Sequence, residues 1–395
     1  MEEAFFRTHS YLVEHLFAGV RRGLMDEIDW NDRLIGIKGS RGVGKTTFLL
    51  QYAKEHFDSH DRRCLYVNMN NFYFQGHSIS EFASDFVSNG GKVLLIDQIF
   101  KQPDWVRELR ECYDRYPDLK IIFTGSSVNH FKEIPEFRGI VKSYNLRGFS
   151  LREYINLESG NNFRKYSLDE IVNNYAQITK DVLPKVSPNK YLDGYLHHGF
   201  YPFFLENRNF SENLLKTMNM MTEVDILLIK QIELKYLSKI KKLFYLLAVN
   251  GPKAPNISVL AEEIETSRAT VMNYINYLSD ARLINIMYPV GQKFPKKPGK
   301  VVMHNPNLMY AVYPVQADMQ DVMETCFINM LWKDHKVNLG TKEHYFTVDE
   351  KYNFRVIDAH STKKIRNSSD VLYVRYNTEV GTDNKIPIWM FGFLY

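Results

Sequence analysis

The chain has 395 residues, 45% of them hydrophobic and 24% charged, with a net charge of +4. These proportions match ordinary globular proteins, roughly 45–50% and 25%, and exclude a disordered, collagen-like or coiled-coil chain. A net charge of +4 is too small to point to nucleic acid by itself, so a nucleic-acid-binding face would have to come from local clustering.

At roughly 150 residues per domain the length suits two to three domains. Cys64, Cys112 and Cys326 lie far apart and form no Cys-x-x-Cys pair. Neither a disulfide framework nor a zinc ribbon is supported. The start, Met1-Glu2-Glu3-Ala4, lacks the basic and apolar regions of a signal peptide. No run approaches the roughly 18 apolar residues of a membrane helix. The expectation is a soluble cytoplasmic protein with no membrane partner.

Residues 1–150 alternate apolar runs with amphipathic stretches. Strands are expected at 34–38, 64–68, 93–97, 120–125 and 140–146, with helices at 45–57, 78–86 and 104–116 between them. Such alternation predicts a parallel sheet with crossover helices. Within this region Gly39-Ser40-Arg41-Gly42-Val43-Gly44-Lys45-Thr46 matches G-x-x-x-x-G-K-[ST] in full, after a strand and before a helix. Glycines let successive N–H groups face one anion, and the helix N-terminus adds partial positive charge. Lys45 suits the β- and γ-phosphates of ATP, and the Thr46 hydroxyl suits magnesium. Thr47 completes the loop.

Asp97 ends the apolar run Val93-Leu94-Leu95-Ile96, at the strand end where ligands bind in α/β sheets. It is the candidate Walker B carboxylate for Mg2+. Position 98 is Gln, where hydrolysing ATPases of this broad class commonly carry Glu. An amide orients water but does not take its proton, and loss of a general base removes a factor of about 10²–10⁴. A neighbouring acid could substitute for it, or Gln98 could position the water as a glutamine does in some GTPases. The run 121–127 ends in Ser126 and Ser127, either of which is a candidate γ-phosphate sensor. Arg138 and Arg147 are candidates to reach a phosphate in cis or across a subunit contact.

Residues 151–240 turn helical. Ser150-Leu151-Arg152-Glu153 fits a capping box. Turn and aromatic residues at 194–202 interrupt, and a long helical stretch is expected over 213–236. In 241–300 an apolar helix face at 243–247 precedes a short helix at 258–264, a second helix at 268–281 and a strand at 283–288. That is winged-helix order. Arg268, Thr270, Asn273 and Asn276 offer donors for DNA, and Lys293, Lys296, Lys297 and Lys300 a basic wing. Glu262, Glu263, Glu265 and Asp280 crowd the same module, which leaves an intramolecular or protein-contact role open. The last block, 301–395, reads as α/β, with strands at 301–304, 345–348, 354–357, 371–375 and 388–391 around a helix at 322–333. His197 and His198 lack a third ligand at metal spacing, and aromatic packing accounts for them better.

The segments GSRGVGKTT (39–47), VLLIDQIF (93–100), DW (104–105), IIFTGSS (121–127), LRGFSLREYI (146–155) and IPIWMFGFLY (386–395) together resemble prokaryotic AAA-type P-loop ATPases with a C-terminal winged helix and a PD-(D/E)xK-nuclease-like domain. The resemblance implies an additional-strand sheet, in which the strand ending at Gly125 lies between the Walker A and Walker B strands. It carries over Lys45, Thr46, Asp97 and the Ser126/Ser127 pair. It does not supply the Walker B Glu, and it leaves the identity of the arginine finger open, since the order here is Arg138-Gly139 where the family has Gly-Arg. It also implies four regions: an ATP-binding domain at 1–150, a helical region at 151–240, a winged helix at 241–300 and a nuclease-like domain at 301–395. The last is expected to be degenerate. Its strands show no Glu-x-Lys, and Asp358 and Glu324 stand as isolated acids. The expected function is that of an ATP-binding switch with slow hydrolysis, exchanging ATP and ADP, with a protein partner or self-association. The alternative is a DNA-binding module in which nucleotide is a structural ligand.

Overall fold

The computed structural model describes residues 2–395 apart from 18, 207–208, 314–317, 333, 341, 343–344 and 361–369; of residues 2 and 228 it describes the backbone alone. The chain divides into two units, 1–147 and 148–395.

In the first unit the elements are α1 (Glu2–Glu14), α2 (Leu24–Glu27), β1 (Leu34–Gly39), α3 (Lys45–His56), β2 (Cys64–Asn68), α4 (Ile79–Ser88), β3 (Val93–Asp97), α5 (Trp105–Arg115), β4 (Lys120–Ser126) and β5 (Val141–Asn145). All sheet neighbours are parallel, in the order β2-β3-β4-β1-β5. Thus β4 lies between β1 and β3, as the additional-strand arrangement requires. Leu34, Ile35 and Ile37 on β1 and Leu94, Leu95 and Ile96 on β3 are wholly buried. Strands covered on both faces read as continuous apolar runs, which is why these strands are legible in the sequence. The helix α1 is not foreseen there. It buries Phe5, Phe6, His9 and Val13, a helically spaced stripe carrying a histidine.

The second unit begins with α6 (Leu151–Ser159), capped as the sequence predicts by the reciprocal Ser150–Glu153 box at 3.1 Å in each direction. There follow α7 (Leu168–Val182), α8 (Asn189–Gly194), α9 (Phe210–Met220), α10 (Leu227–Ile229), α11 (Leu237–Asn250), α12 (Ile257–Glu263), α13 (Arg268–Asp280), β6 (Ile284–Met287) and β7 (Lys300–Met303). Last come α14 (Pro306–Val312), α15 (Met319–Leu331), β8 (Val337–Leu339), β9 (Tyr345–Val348), β10 (Tyr352–Asp358), β11 (Leu372–Tyr376) and β12 (Lys385–Pro387). The strands β6 and β7 form an antiparallel pair, and the other five form a mixed sheet in the order β12-β11-β10-β9-β8. One core joins α15 and this sheet to α6 and α7, around Phe327, Phe354, Trp389 and Phe391.

Four expectations differ from what is observed. The run at 301–304 is the return strand of the β6–β7 pair, not a member of the five-stranded sheet. The stretch 213–236 is not one helix, because a π-helical segment at Met221–Ile226 and a 3₁₀ turn at Leu234–Tyr236 interrupt it. The aromatic segment after α8 continues as a π-helical turn, Tyr195–Gly199. Residues 388–391 are not a strand but lie in a buried 3₁₀ segment, Ile388–Phe393. Pro387 precedes it and has no N–H to extend a ladder, and a short apolar run does not reveal its own period. The expected helix end at Lys333 lies outside the described residues.

Candidate functional site

The phosphate loop joins β1 to α3. Gly39 is required at its start, because a Cβ there would stand 2.3 Å from the Leu146 carbonyl oxygen. Gly42 (φ 82°) and Gly44 (φ 91°) adopt left-handed backbone on either side of buried Val43. Alternation of this kind turns neighbouring N–H groups toward one side. Gly44 caps α3 without a side-chain hydrogen bond, so the first-turn N–H groups are not claimed by a capping side chain. Ser40 is buried, Arg41 and Lys45 are half-buried, and Thr46 and Thr47 are exposed. Lys45 Nζ donates to the Gly39 and Ser40 carbonyls at 2.9 and 2.8 Å.

Asp97 ends β3 with only 1% of its surface exposed. Its Oδ2 accepts from Thr46 Oγ1 at 2.7 Å, Tyr66 Oη at 3.0 Å and Asn68 Nδ2 at 3.2 Å. Its Oδ1 accepts from the Thr124 hydroxyl. All four donors are neutral. Burial, then the nearby Asp97 charge, push the Tyr66 phenol well above its ordinary range, so its hydroxyl remains a donor. A hydroxyl and a carboxylate held together are hard oxygen ligands, and this donor set fits Mg2+.

Gln98 follows in left-handed backbone, φ 57° and ψ 47°, with its N–H on Thr124 Oγ1 at 2.9 Å. A non-glycine residue there carries strain of about 1–3 kcal/mol, a cost often found at functional sites. Ser126 sits on β4 in register with Gly39 of β1. Its Oγ accepts from the Val128 N–H at 3.4 Å, and among the described residues the buried Ser127 Oγ has no hydrogen-bond partner. Arg138 is exposed on the turn after Pro135–Phe137, and among the described residues no hydrogen bond joins it to the loop. Arg147 is buried. Lys45, Thr46 and Asp97 are thus brought together, with Gln98 beside them and Arg138 not joined to them.

Sequence reasoning missed Tyr66, Asn68 and Thr124. Each sits on a neighbouring strand of β3, and Asn68 is in direct register with Asp97. The available signal was polar residues at the ends of apolar strands 2 and 4, which becomes specific only once the strand order is known.

In the second unit the acids have other uses. Glu324, fully buried on α15, takes the Lys300 ammonium at 2.6 Å, and Gln320 Nε2 at 2.9 Å. Lys300 is therefore not part of an exposed basic wing. The expected wing set reduces to Lys293, Lys296 and Lys297, all exposed between β6 and β7. Arg268 and Asn273 of α13 are exposed, while Thr270 and Asn276 are half-buried. Asp358 Oδ1 accepts from the His360 N–H at 2.9 Å and Asn377 at 3.2 Å. His197 stacks on Tyr310 with centroids 3.9 Å apart, and His198 meets Tyr154 Oη at 3.2 Å. Among the described residues no helix is long and apolar enough to cross a membrane.

Two family models match parts of the chain, and neither match coincides with the four expected regions. Residues 31–155 match the AAA domain family, and residues 189–318 match a domain of unknown function, DUF8612. The chain is 28% identical over 285 residues to the uncharacterized protein MJ1637 of Methanocaldococcus jannaschii, covering 68% of this chain and 59% of that one. It is 26% identical over 267 residues to the uncharacterized protein MJ1544 of the same organism, covering 64% and 55%. It therefore spans less than two thirds of either relative. Among solved structures, PCH-2 of C. elegans aligns at 13% identity and TM-score 0.23, over 70% of this chain and 66% of that one. A chain of the HORMA:CdnC:Trip13 complex of E. coli MS115-1 aligns at 14% and 0.25, over 39% and 66%. Superpositions this loose carry no argument. The match to the AAA domain family over residues 31–155 and the parallel sheet order agree on a P-loop-type α/β fold for this region.

Proposed function

We propose that the first unit binds Mg-ATP and that the protein acts as a nucleotide-dependent switch with weak ATP hydrolysis. The observation that carries this reading is the 2.7 Å bond between Thr46 and Asp97, across a phosphate loop whose first-turn N–H groups no side chain caps. On ATP binding Lys45 exchanges two neutral carbonyls for anionic phosphate oxygens, and charge-assisted bonds are roughly twice as strong as neutral ones. Thr46 and Asp97 would hold magnesium, which supplies charge neutralisation at the β- and γ-phosphates. Gln98 orients water without taking its proton. Ser126 or Ser127 would report the γ-phosphate, and Arg138 would complete the site from a second copy. Loss of the γ-phosphate then biases neighbouring segments between two arrangements. Calorimetry tests the site: wild type is expected to bind Mg-ATP and Lys45→Ala to lose it, because the phosphate charge loses its ammonium. Wild-type affinity in Lys45→Ala would reject the assignment.

A second reading is favoured by one observation. The order α11, α12, α13, β6, β7 is that of a winged helix, and three exposed lysines lie on the connection between the strands. As a DNA-binding module it would bind duplex with strong salt dependence, regardless of nucleotide. Titration of duplex DNA with and without ATP at two salt concentrations separates the two readings. The five-stranded sheet with α15 would then be a degenerate nuclease-like domain that does not cut DNA. Metal-dependent nicking of plasmid, lost in Asp358→Ala, would overturn that.

A further inference from the structure

Arg22 lies just ahead of α2 with 7% of its surface exposed. Its Nη1 donates to the Val43 carbonyl at 3.1 Å, and its Nη2 to the Arg147 carbonyl at 2.6 Å. Val43 is the crest of the phosphate loop, bracketed by the two left-handed glycines. A loop that turns its N–H groups to one side turns carbonyls to the other, and buried carbonyls need donors. Two cations meet that need here. Lys45 holds the Gly39 and Ser40 carbonyls, but must release them to meet a phosphate. Neither the Val43 carbonyl nor the Arg147 carbonyl, by contrast, is a group that ATP would claim. The far end of the guanidinium is also anchored. Arg147 follows Leu146, whose N–H bonds the Lys38 carbonyl at 2.8 Å and whose own carbonyl lies against Gly39. Arg22 therefore ties the crest of the loop to the segment that abuts its start.

We propose that Arg22 is a positioning residue of the phosphate loop, fixing the Val43 carbonyl outward so that the loop amides stay turned to the phosphates. It acts through the backbone and touches no nucleotide. The proposal rests on the Mg-ATP reading above. A planar fork suits two carbonyls at once, which a lysine ammonium on a flexible stem does not reproduce.

The test is calorimetric titration of Mg-ATP, and separately of inorganic tripolyphosphate, into wild type, Arg22→Lys, Arg22→Gln and Lys45→Ala. Removing a charge-assisted bond from a buried carbonyl is expected to weaken both ligands by a similar factor, roughly tenfold or more in Arg22→Gln. Arg22→Lys should fall between. Hydrogen exchange of amides 40–46 should quicken in both variants while β3 and β4 keep their protection, which a general loss of stability would not produce. If Arg22→Gln does not fold, Arg22→Lys decides the matter. A folded Arg22 variant with wild-type affinity for both ligands and unchanged exchange at 40–46 overturns the proposal. Failure of wild type to bind Mg-ATP is a different result, and rejects the nucleotide reading itself.

Discussion

Asp97 in the first unit and Glu324 in the second are both buried carboxylates, with 1% and 0% of their surfaces exposed. Their surroundings differ in kind. Asp97 is held by three hydroxyls and an amide, none of which carries charge. Glu324 faces the Lys300 ammonium at 2.6 Å. Neutral donors satisfy lone pairs and leave the charge to attract a cation, whereas an ammonium neutralises it in place. The surroundings of Asp97 thus suit a cation and those of Glu324 already hold one, a difference that sequence alone does not show.

The largest expected effect sharpens the Asp97 side of the contrast. Gln98→Glu would place a second carboxylate beside Asp97 and supply the base that an amide at this position does not provide. Phosphate release at saturating Mg-ATP is expected to rise by up to the roughly 10²–10⁴ that a positioned base provides. Brisk turnover in wild type that Gln98→Glu leaves unchanged would mean that another group activates the water. On the other side, Glu324→Gln leaves Lys300 buried without its counter-charge. The expected loss is about 3–5 kcal/mol in denaturant unfolding, while the double change Lys300→Met with Glu324→Leu recovers most of it. An unaltered midpoint in Glu324→Gln would show that the pair is not the neutralising contact described above.

His9 offers a third case, a buried basic group whose Nε2 has no hydrogen-bond partner among the described residues. Its Nδ1 accepts from the Tyr66 N–H at 3.0 Å, and burial lowers its pKa from 6.5 to about 4. The unfolded chain takes up the proton near 6.5 and the folded chain only near 4. Its contribution is therefore complete above about pH 6.5 and drains away as pH falls toward 4, with a slope of about 1.4 kcal/mol per pH unit. Denaturant unfolding across that range should show His9→Gln losing less stability than wild type; parallel profiles would contradict this. Smallest of all, Tyr66→Phe removes one of four donors from Asp97, at an expected cost of about 1 kcal/mol by thermal unfolding. A cost several times larger would mean that the other three donors do not suffice.

How much was legible from sequence follows from where the information lies. The phosphate loop is contiguous, so its glycines, Lys45 and Thr46 are readable from the sequence, and Asp97 is announced by the apolar run before it. Tyr66, Asn68 and Thr124 come to Asp97 across the sheet, and no local spacing marks them. Arg22 is hidden for the same reason, since its partners are the backbones of Val43 and Arg147. The Ser150–Glu153 cap was visible because both halves lie within four residues. The 3₁₀ segment Ile388–Phe393 was not, since complete burial erases the alternation that separates strand from helix. Lys300 was misjudged because its neighbours in sequence are exposed lysines while its partner is 24 residues away.

The His9 contact has one more consequence, for association. In the sheet order β2 is an outer strand, and outer strands offer unpaired N–H groups on which another chain can template. Here a histidine ring from α1 occupies the Tyr66 N–H, while Phe5 and Phe6 of the same helix join the core beside it. The border of the sheet is closed by a side chain and a helix instead of a further strand. Protein whose α1 has come away would therefore be expected to polymerise through β2, and its solubility on heating should follow the undocking of that helix more closely than the melting of the sheet.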